Sequence, residues 1–202
     1  MAWQWHCRSK PIQALLILVL AVLFTGLFTP IACGQSLAPD FTLTDIEGTS
    51  FSLSDFRNHV VLLEFMRVGC SKCQLQVSEL VEVQNEFGDL LTIISLGINA
   101  SETNEDLRQF RDSEGSWWWP PHDWIYARCP QSSIFSGLYN VTSTPTSYII
   151  DQSGFIRYHH SGVGDDAVVD ADVFIAEIRT LLTYPMTITT TPSLDNVHFR
   201  IN

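Results

Sequence analysis

Two cysteines two residues apart, Cys70 and Cys73, follow the apolar run Val60-Val61-Leu62-Leu63-Glu64-Phe65. By itself such a pair is ambiguous, because it is half of a tetrahedral zinc site as readily as a redox dithiol. Its placement is more specific. A buried strand that turns into a helix at Cys70 puts the first sulfur at a helix N-terminus, where unpaired N–H groups and the helix dipole favour a thiolate. Disulfide exchange needs an attacking thiolate, a second thiol that resolves the mixed disulfide, and a backbone surface that holds the substrate. Cys70 fits the first role, and Lys72 adds a positive charge that lowers its pKa. Cys73, one turn further into the helix, fits the second. Glu64 is the one acid of the buried run. A carboxylate beneath the second cysteine would accept its proton during resolution, with a pKa raised by burial. The plainer alternative for Glu64 is a strand-end carboxylate reaching solvent. Pro145, in Val141-Thr142-Ser143-Thr144-Pro145-Thr146, stands just before an expected core strand. A cis Thr144–Pro145 bond there would free the Thr144 backbone to pair with an incoming peptide. The plainer alternative is a trans proline ending a loop.

These groups must be held by a layered α/β plan. Residues 38–43 alternate into a short strand, Asp45-Ile46-Glu47-Gly48 signals a turn, and residues 49–53 return, which makes a hairpin. Ser54-Asp55-Phe56 reads as a short helical turn, and residues 60–65 as a central strand buried on both faces. From Cys70 to about Phe87, Leu80, Val83 and Phe87 give one apolar helix face, closed by Gly88. Residues 91–98 read as the next buried strand. Residues 102–112 read as an acid-started helix with Leu107 and Phe110 inward, and 132–139 as another short helix. A strand over 147–151, a turn at Gln152-Ser153-Gly154 and a strand over 155–160 precede a last helix through Leu182. Asp170 or Asp172 is expected to cap that helix, with Val173, Ile175, Ile178, Leu181 and Leu182 as its apolar residues. Strand–helix–strand–helix followed by a hairpin and a helix implies a mixed sheet.

The 202-residue chain opens with Arg8 and Lys10, then an apolar run over residues 12–28, then small residues. That order is a secretory signal, a lipoprotein signal with Cys33 as the lipidated residue, or an uncleaved membrane anchor. Residues 1–34 are thus expected to be leader or anchor, 35–183 one domain, and 184–202 a Thr- and Pro-rich tail. Each leader reading places the folded part outside the cytoplasm. Net charge is −11, and no basic stripe exists, so nucleic acid is not an expected partner. Beyond the leader remain Cys70, Cys73 and Cys129, too few for a disulfide scaffold. Trp117-Trp118-Trp119-Pro120-Pro121 with Trp124 is either a braced loop folded over the core or an exposed aromatic face. Cys129 reads as a buried spectator thiol.

Ala38-Pro39-Asp40-Phe41, the Gly48 turn, Leu53-Ser54-Asp55-Phe56, Val60 to Phe65, Cys70-x-x-Cys73, Thr144-Pro145-Thr146 and Ile150-Asp151-x-x-Gly154 come in a familiar order and spacing. Over roughly residues 37–182 the chain resembles thioredoxin-like proteins, nearest the extracytoplasmic TlpA/ResA-like branch related to the AhpC/TSA redoxins. The resemblance implies a thioredoxin-like α/β fold, a mixed central sheet flanked by helices, with an N-terminal β-hairpin extension. It implies a redox-active Cys70–Cys73 disulfide, Cys70 attacking, Cys73 resolving, Pro145 as cis-proline and Glu64 in the buried-acid position. It also implies protein dithiol or disulfide substrates, an upstream electron donor or acceptor, and a role such as cytochrome c maturation or general extracytoplasmic thiol reduction. The chain departs from the pattern at Met66 and Gly69, where tryptophan is usual. Ser71-Lys72 lacks the usual proline of the dipeptide, and Ser78 stands where a kinking proline is common.

Two other functions compete. A peroxiredoxin shares the sheet and first cysteine but wants a Thr three residues earlier, where this chain has Arg67, and it has no need of Pro145. A metal carrier, copper in particular, would need further ligands, for which Cys129, His122, His159 and His160 are the candidates. The sequence therefore points to an enzyme, a thiol–disulfide oxidoreductase, with no cofactor and no resident metal. Its contact with the membrane is expected through the N-terminal segment.

Overall fold

A computed structural model describes residues 36–112 and 122–183. The expected leader with Cys33, the Trp117-Trp118-Trp119 run and the expected tail lie outside these residues. The N-terminal hairpin is formed by β1 (Thr42–Thr44) and β2 (Ser50–Ser52), paired antiparallel with Leu43 opposite Phe51. Asp45 closes its turn by accepting the Glu47 and Thr49 N–H groups, at 2.9 and 2.7 Å. A single 3-10 turn, Leu53–Phe56, leads on to the central sheet.

That sheet has five strands in the order β5-β4-β3-β6-β7. β3 (Val60–Met66) lies at its centre, parallel to β4 (Leu91–Gly97) and antiparallel to β6 (Thr146–Ile150). β5 (Ile125–Arg128) adds parallel to β4, and β7 (Ile156–Ser161) adds antiparallel to β6. Every residue of β3 is buried, as a continuous apolar run with helices and hairpin on its two faces requires. Alternation along β3 divides the core. Val60, Leu62 and Met66 join Val77, Leu80, Phe174 and Ile178 from the helices. Val61, Leu63 and Phe65 join Phe41, Leu43 and Phe51 from the hairpin region, with Tyr139 and Tyr148.

Among the described residues three α-helices flank the sheet: α1 (Ser71–Phe87), α2 (Asn104–Arg111) and α3 (Ala171–Thr183). Gly88 closes α1 with φ +51, and Gly154 turns the β6–β7 hairpin with φ +90, both in the region that glycine enters without a Cβ clash. Asp151 fixes that hairpin by accepting the Ser153 and Phe155 N–H groups at 2.9 Å and pairing with Arg157.

The structure differs in detail from the sequence reading. β5 was not anticipated, because Ile125–Arg128 is only four residues long and follows a Trp- and Pro-rich stretch that reads as loop. α2 starts at Asn104 rather than Glu102. Thr103 and Asp106 form a reciprocal capping box there, with the Thr103 N–H on Asp106 at 2.7 Å and the Asp106 N–H on Thr103 at 3.1 Å. The short helix expected over 132–139 is present as a π-helical turn, Ser133–Leu138. On α3 the buried residues are Ala171, Phe174, Ile178 and Leu181, while Val173 is exposed. The Ala171 N–H of that helix is taken by Glu79 of α1 at 2.8 Å, so a carboxylate from a neighbouring helix serves where Asp170 or Asp172 was expected.

Candidate active site

Three segments meet at the C-terminal end of β3. The chain leaves Met66, makes the loop Arg67-Val68-Gly69 and enters α1 at Cys70. Cys70 is the helix N-cap, with an extended backbone, φ −96 and ψ 110. Its Sγ accepts the Cys73 N–H at 3.1 Å. A sulfur thus takes the place that a Ser or Asp oxygen commonly holds at an N-cap, and no acid occupies the first turn of α1 to compete with it. Negative charge on this sulfur is favoured by the N–H group and by the dipole of a 17-residue helix.

Cys70 and Cys73 form a disulfide across one helical turn, with Cα atoms 5.2 Å apart. Their exposures differ. Cys70 is half-buried and open to a partner, whereas Cys73 is fully buried among the core residues under α1. Lys72 lies half-buried between them in the first turn.

The second segment is the loop before β6. The Thr144–Pro145 bond is cis, as expected. It turns the Thr144 carbonyl oxygen to within 3.6 Å of the Cys70 Sγ. The loop is braced on both sides. Arg67 Nε donates to Thr144 Oγ1 at 3.1 Å, and the Gly162 N–H donates to the Pro145 carbonyl at 2.7 Å. Gly162 has to be a glycine, since a Cβ there would lie 2.2 Å from that carbonyl oxygen.

Beneath the cysteines lies Glu64, 1 % exposed, so the solvent-reaching alternative is excluded. It shares its face of β3 with Leu62 and Met66, the face covered by α1 and Cys73. Its Oε2 accepts from Ser95 Oγ at 3.0 Å, while Oε1 is buried with no hydrogen-bond partner. Burial pushes the carboxyl up to about 7, the Ser95 bond pulling weakly the other way. A carboxyl poised there exchanges a proton near neutral pH, which is what a thiol-deprotonating base needs.

Three supporting residues escaped sequence reasoning. Ser95 sits directly opposite Glu64 in the parallel β3–β4 register, and Trp124 Nε1 donates to the Ser95 hydroxyl at 3.0 Å. The lone serine inside the apolar run 91–97 was the available signal for this pair. Trp124 is buried, so this one member of the tryptophan group folds over the core. Glu102 turns back under the active-site loop, where its Oε1 accepts the Val68 N–H at 2.9 Å and the Asn99 side-chain amide at 3.2 Å. Nothing in the sequence marked it apart from an ordinary helix-starting acid.

The residues weighed as metal ligands do not converge. His159 stacks on Tyr148, His160 Nε2 contacts the Asp166 carbonyl, and Cys129 is buried on the hairpin side of the sheet. Among the described residues no group of three or more His, Cys, Asp or Glu is placed to hold a metal ion. Nor is any described helix long and apolar enough to cross a membrane.

Comparison with known proteins agrees with this geometry. The AhpC/TSA family model matches residues 35–159. The thioredoxin-like protein YneN of Bacillus subtilis is 30% identical over 126 residues, covering 62% of this chain and 69% of that protein. The thiol-disulfide oxidoreductase ResA of Geobacillus kaustophilus is 30% identical over 152 residues, covering 71% of this chain and 80% of that protein. In fold, the thioredoxin domain of a thiol-disulfide oxidoreductase from Bacteroides vulgatus superposes with a TM-score of 0.58 at 23% identity, covering 72% of this chain and 95% of that one. With a Cys-x-x-Cys pair at the head of α1 in a thioredoxin-like fold, the chain belongs to the AhpC/TSA family as a ResA-like thiol–disulfide oxidoreductase.

Proposed function

We propose that Cys70 is the attacking cysteine, Cys73 the resolving one and Glu64 the group that takes the Cys73 proton. The observation that carries this assignment is the asymmetry of the pair. The Cys70 Sγ sits half-exposed at the helix N-cap, on the Cys73 N–H and facing Thr144, while Cys73 is closed off above a carboxyl held near neutrality.

In the reducing direction the Cys70 thiolate attacks one sulfur of a substrate disulfide. A Cys70–substrate bond forms, the substrate S–S bond breaks, and the other substrate sulfur leaves as a thiolate that takes a proton from water. Cys73 then gives its proton to Glu64 and attacks the Cys70 sulfur. The intramolecular disulfide forms, and the second substrate thiol leaves. Two electrons pass from the dithiol to the substrate, and the reverse sequence oxidises a substrate dithiol. The Thr144 carbonyl, turned toward Cys70 by the cis bond to Pro145, offers the substrate backbone a partner by strand addition. Lys72 favours the Cys70 thiolate.

The substrates are proteins carrying dithiols or disulfides. We assign the active domain to residues 35–183, held outside the cytoplasm and tethered or exported by residues 1–34, with Cys33 as the lipidation candidate. An upstream dithiol or disulfide partner returns the pair to its starting state. The reading is supported by the basic, apolar and small-residue order of the leader.

Trapping tests the role assignment. Reduced Cys73→Ser protein, incubated with an oxidised protein substrate, should accumulate a mixed disulfide through Cys70, and Cys70→Ser protein should form none. Trapping by Cys70→Ser alone would reverse the roles. The reduction potential of the pair then sets the direction, a value near that of thioredoxin, about −270 mV, marking a reductase.

A further inference from the structure

Beside Cys70, on the Thr144 side, an open cleft of about 400 Å³ is lined by Arg67, Ile98, Asn99 and Phe135 and by the loop from Val141 to Thr144. Ile98, Phe135 and Val141 give it apolar surface. Among the described residues that line it, Arg67 is the one charged residue and none is a carboxylate. The Arg67 side chain is exposed and anchored by its Nε on Thr144 Oγ1 at 3.1 Å. Among the described residues no carboxylate lies within ion-pair distance of it. Glu64, three residues away in sequence, and Glu102, which reaches the neighbouring Val68, are otherwise engaged. Glu64 is buried on Ser95, and Glu102 holds the Val68 N–H and Asn99.

The chain as a whole carries a net charge of −11, so this cation is a local feature and not part of a basic surface. Its position relative to the reacting sulfur is set by a single residue. Thr144 offers its carbonyl to Cys70, at 3.6 Å, and its hydroxyl to Arg67. A substrate cysteine brought to Cys70 therefore places its chain neighbour within reach of the Arg67 guanidinium. With Nε occupied, the two terminal amino groups of that guanidinium have the fork geometry that pairs with a carboxylate.

We propose that the cleft receives the substrate segment flanking the attacked cysteine, and that Arg67 selects segments with Asp or Glu adjacent to that cysteine. The inference rests on the exchange reading above and adds the substrate class. An apolar side chain beside the acid gains further by covering Ile98 and Phe135.

The test uses end-capped five-residue peptides with a central cysteine activated as its 2-pyridyl disulfide and flanked on both sides by Asp or by Lys. Reduced protein attacks the peptide sulfur, the S–S bond between that sulfur and the pyridylthio group breaks, and pyridine-2-thione leaves and is read by absorbance. Cys73 then closes the Cys70–Cys73 disulfide and releases the peptide thiol. For the parent, the second-order rate constant of thione release should favour the Asp peptide over the Lys peptide by about 5-fold at low salt, the upper end for one exposed ion pair. Arg67→Gln should bring the ratio to about one, and Arg67→Glu should invert it. Because each ratio is taken within one protein, a general loss of rate in a variant cancels. A parent ratio near one, or a ratio that Arg67→Glu leaves unmoved, overturns the proposal while leaving exchange intact. Release of thione from neither peptide would remove the exchange reading itself, and the selectivity with it.

Discussion

Replacing Glu64 by Gln should stabilise this protein at pH 8 and leave it unchanged near pH 4.5. Burial holds the Glu64 carboxyl at about 7, up from an ordinary 4.5, because desolvation outweighs the Ser95 hydrogen bond. Between those two values the folded protein keeps a proton that the unfolded chain has lost. Stability contributed by the protonated carboxyl is therefore complete below the unfolded pKa, declines as pH rises through the window and is gone above the folded pKa. The span is about two and a half pH units. At ~1.4 kcal/mol for each unit, ionised Glu64 costs the fold about 3 kcal/mol at pH 8. Glutamine carries no charge at any pH and keeps an amide oxygen for the Ser95 hydroxyl. The assay is urea unfolding of parent and Glu64→Gln, both with the Cys70–Cys73 disulfide closed, at several pH values from 4.5 to 8. Every other titrating group is common to the two proteins, so the difference between their curves isolates Glu64. The difference should grow from near zero to about 3 kcal/mol in favour of the variant. A difference that does not change with pH, or a variant less stable than the parent at pH 8, would refute the reasoning. If stability is sacrificed at this position for chemistry, the same variant should resolve mixed disulfides more slowly, by about 100-fold for a lost general base.

Gln76 uses both ends of its buried amide to hold the Val169 N–H and C=O, at 2.8 and 2.9 Å, tying α1 to the segment before α3. Gln76→Ala leaves both backbone groups buried and unpaired, and chemical denaturation should show a loss of about 3 kcal/mol. Gly162→Ala forces a Cβ against the Pro145 carbonyl, so it should cost about 2 kcal/mol in melting experiments and slow exchange by displacing the loop that faces Cys70. Burial pushes the Cys129 thiol up to about 11, so it should resist alkylation in folded protein at pH 8 and react only after denaturation, as mass spectrometry would show.

The central strand, the cysteine helix and the cis-proline loop were legible because each carries a strong local signal. These are an unbroken apolar run, a Cys-x-x-Cys at a strand-to-helix junction, and a proline where a strand should begin. The supports of the site were harder to read. Ser95 and Trp124 meet Glu64 only through the β3–β4 register and the fold of the segment before β5, which are properties of pairing and not of any one stretch. Glu102 looks like the acid that opens a helix, yet the capping box at Thr103 and Asp106 starts α2 two residues later and releases Glu102 toward the active-site loop. The inward face of α3 was not legible, because a helix so rich in apolar residues leaves its face ambiguous; Phe174 is buried and Val173 exposed. Arg67 was noted only for what it is not, a peroxide-orienting threonine. Its bond to Thr144 crosses 77 residues of sequence.

The role assignment of the two cysteines can be read directly from reduced protein by alkylation with iodoacetamide across pH 5 to 9, with the modified residue identified by mass spectrometry. The N-cap position of Cys70 predicts that Cys70 reacts first, with an apparent pKa below the ~8.5 of a free cysteine, while Cys73 stays unmodified at neutral pH. Alkylation of Cys73 ahead of Cys70, or of both with the pKa of a free thiol, would contradict the account.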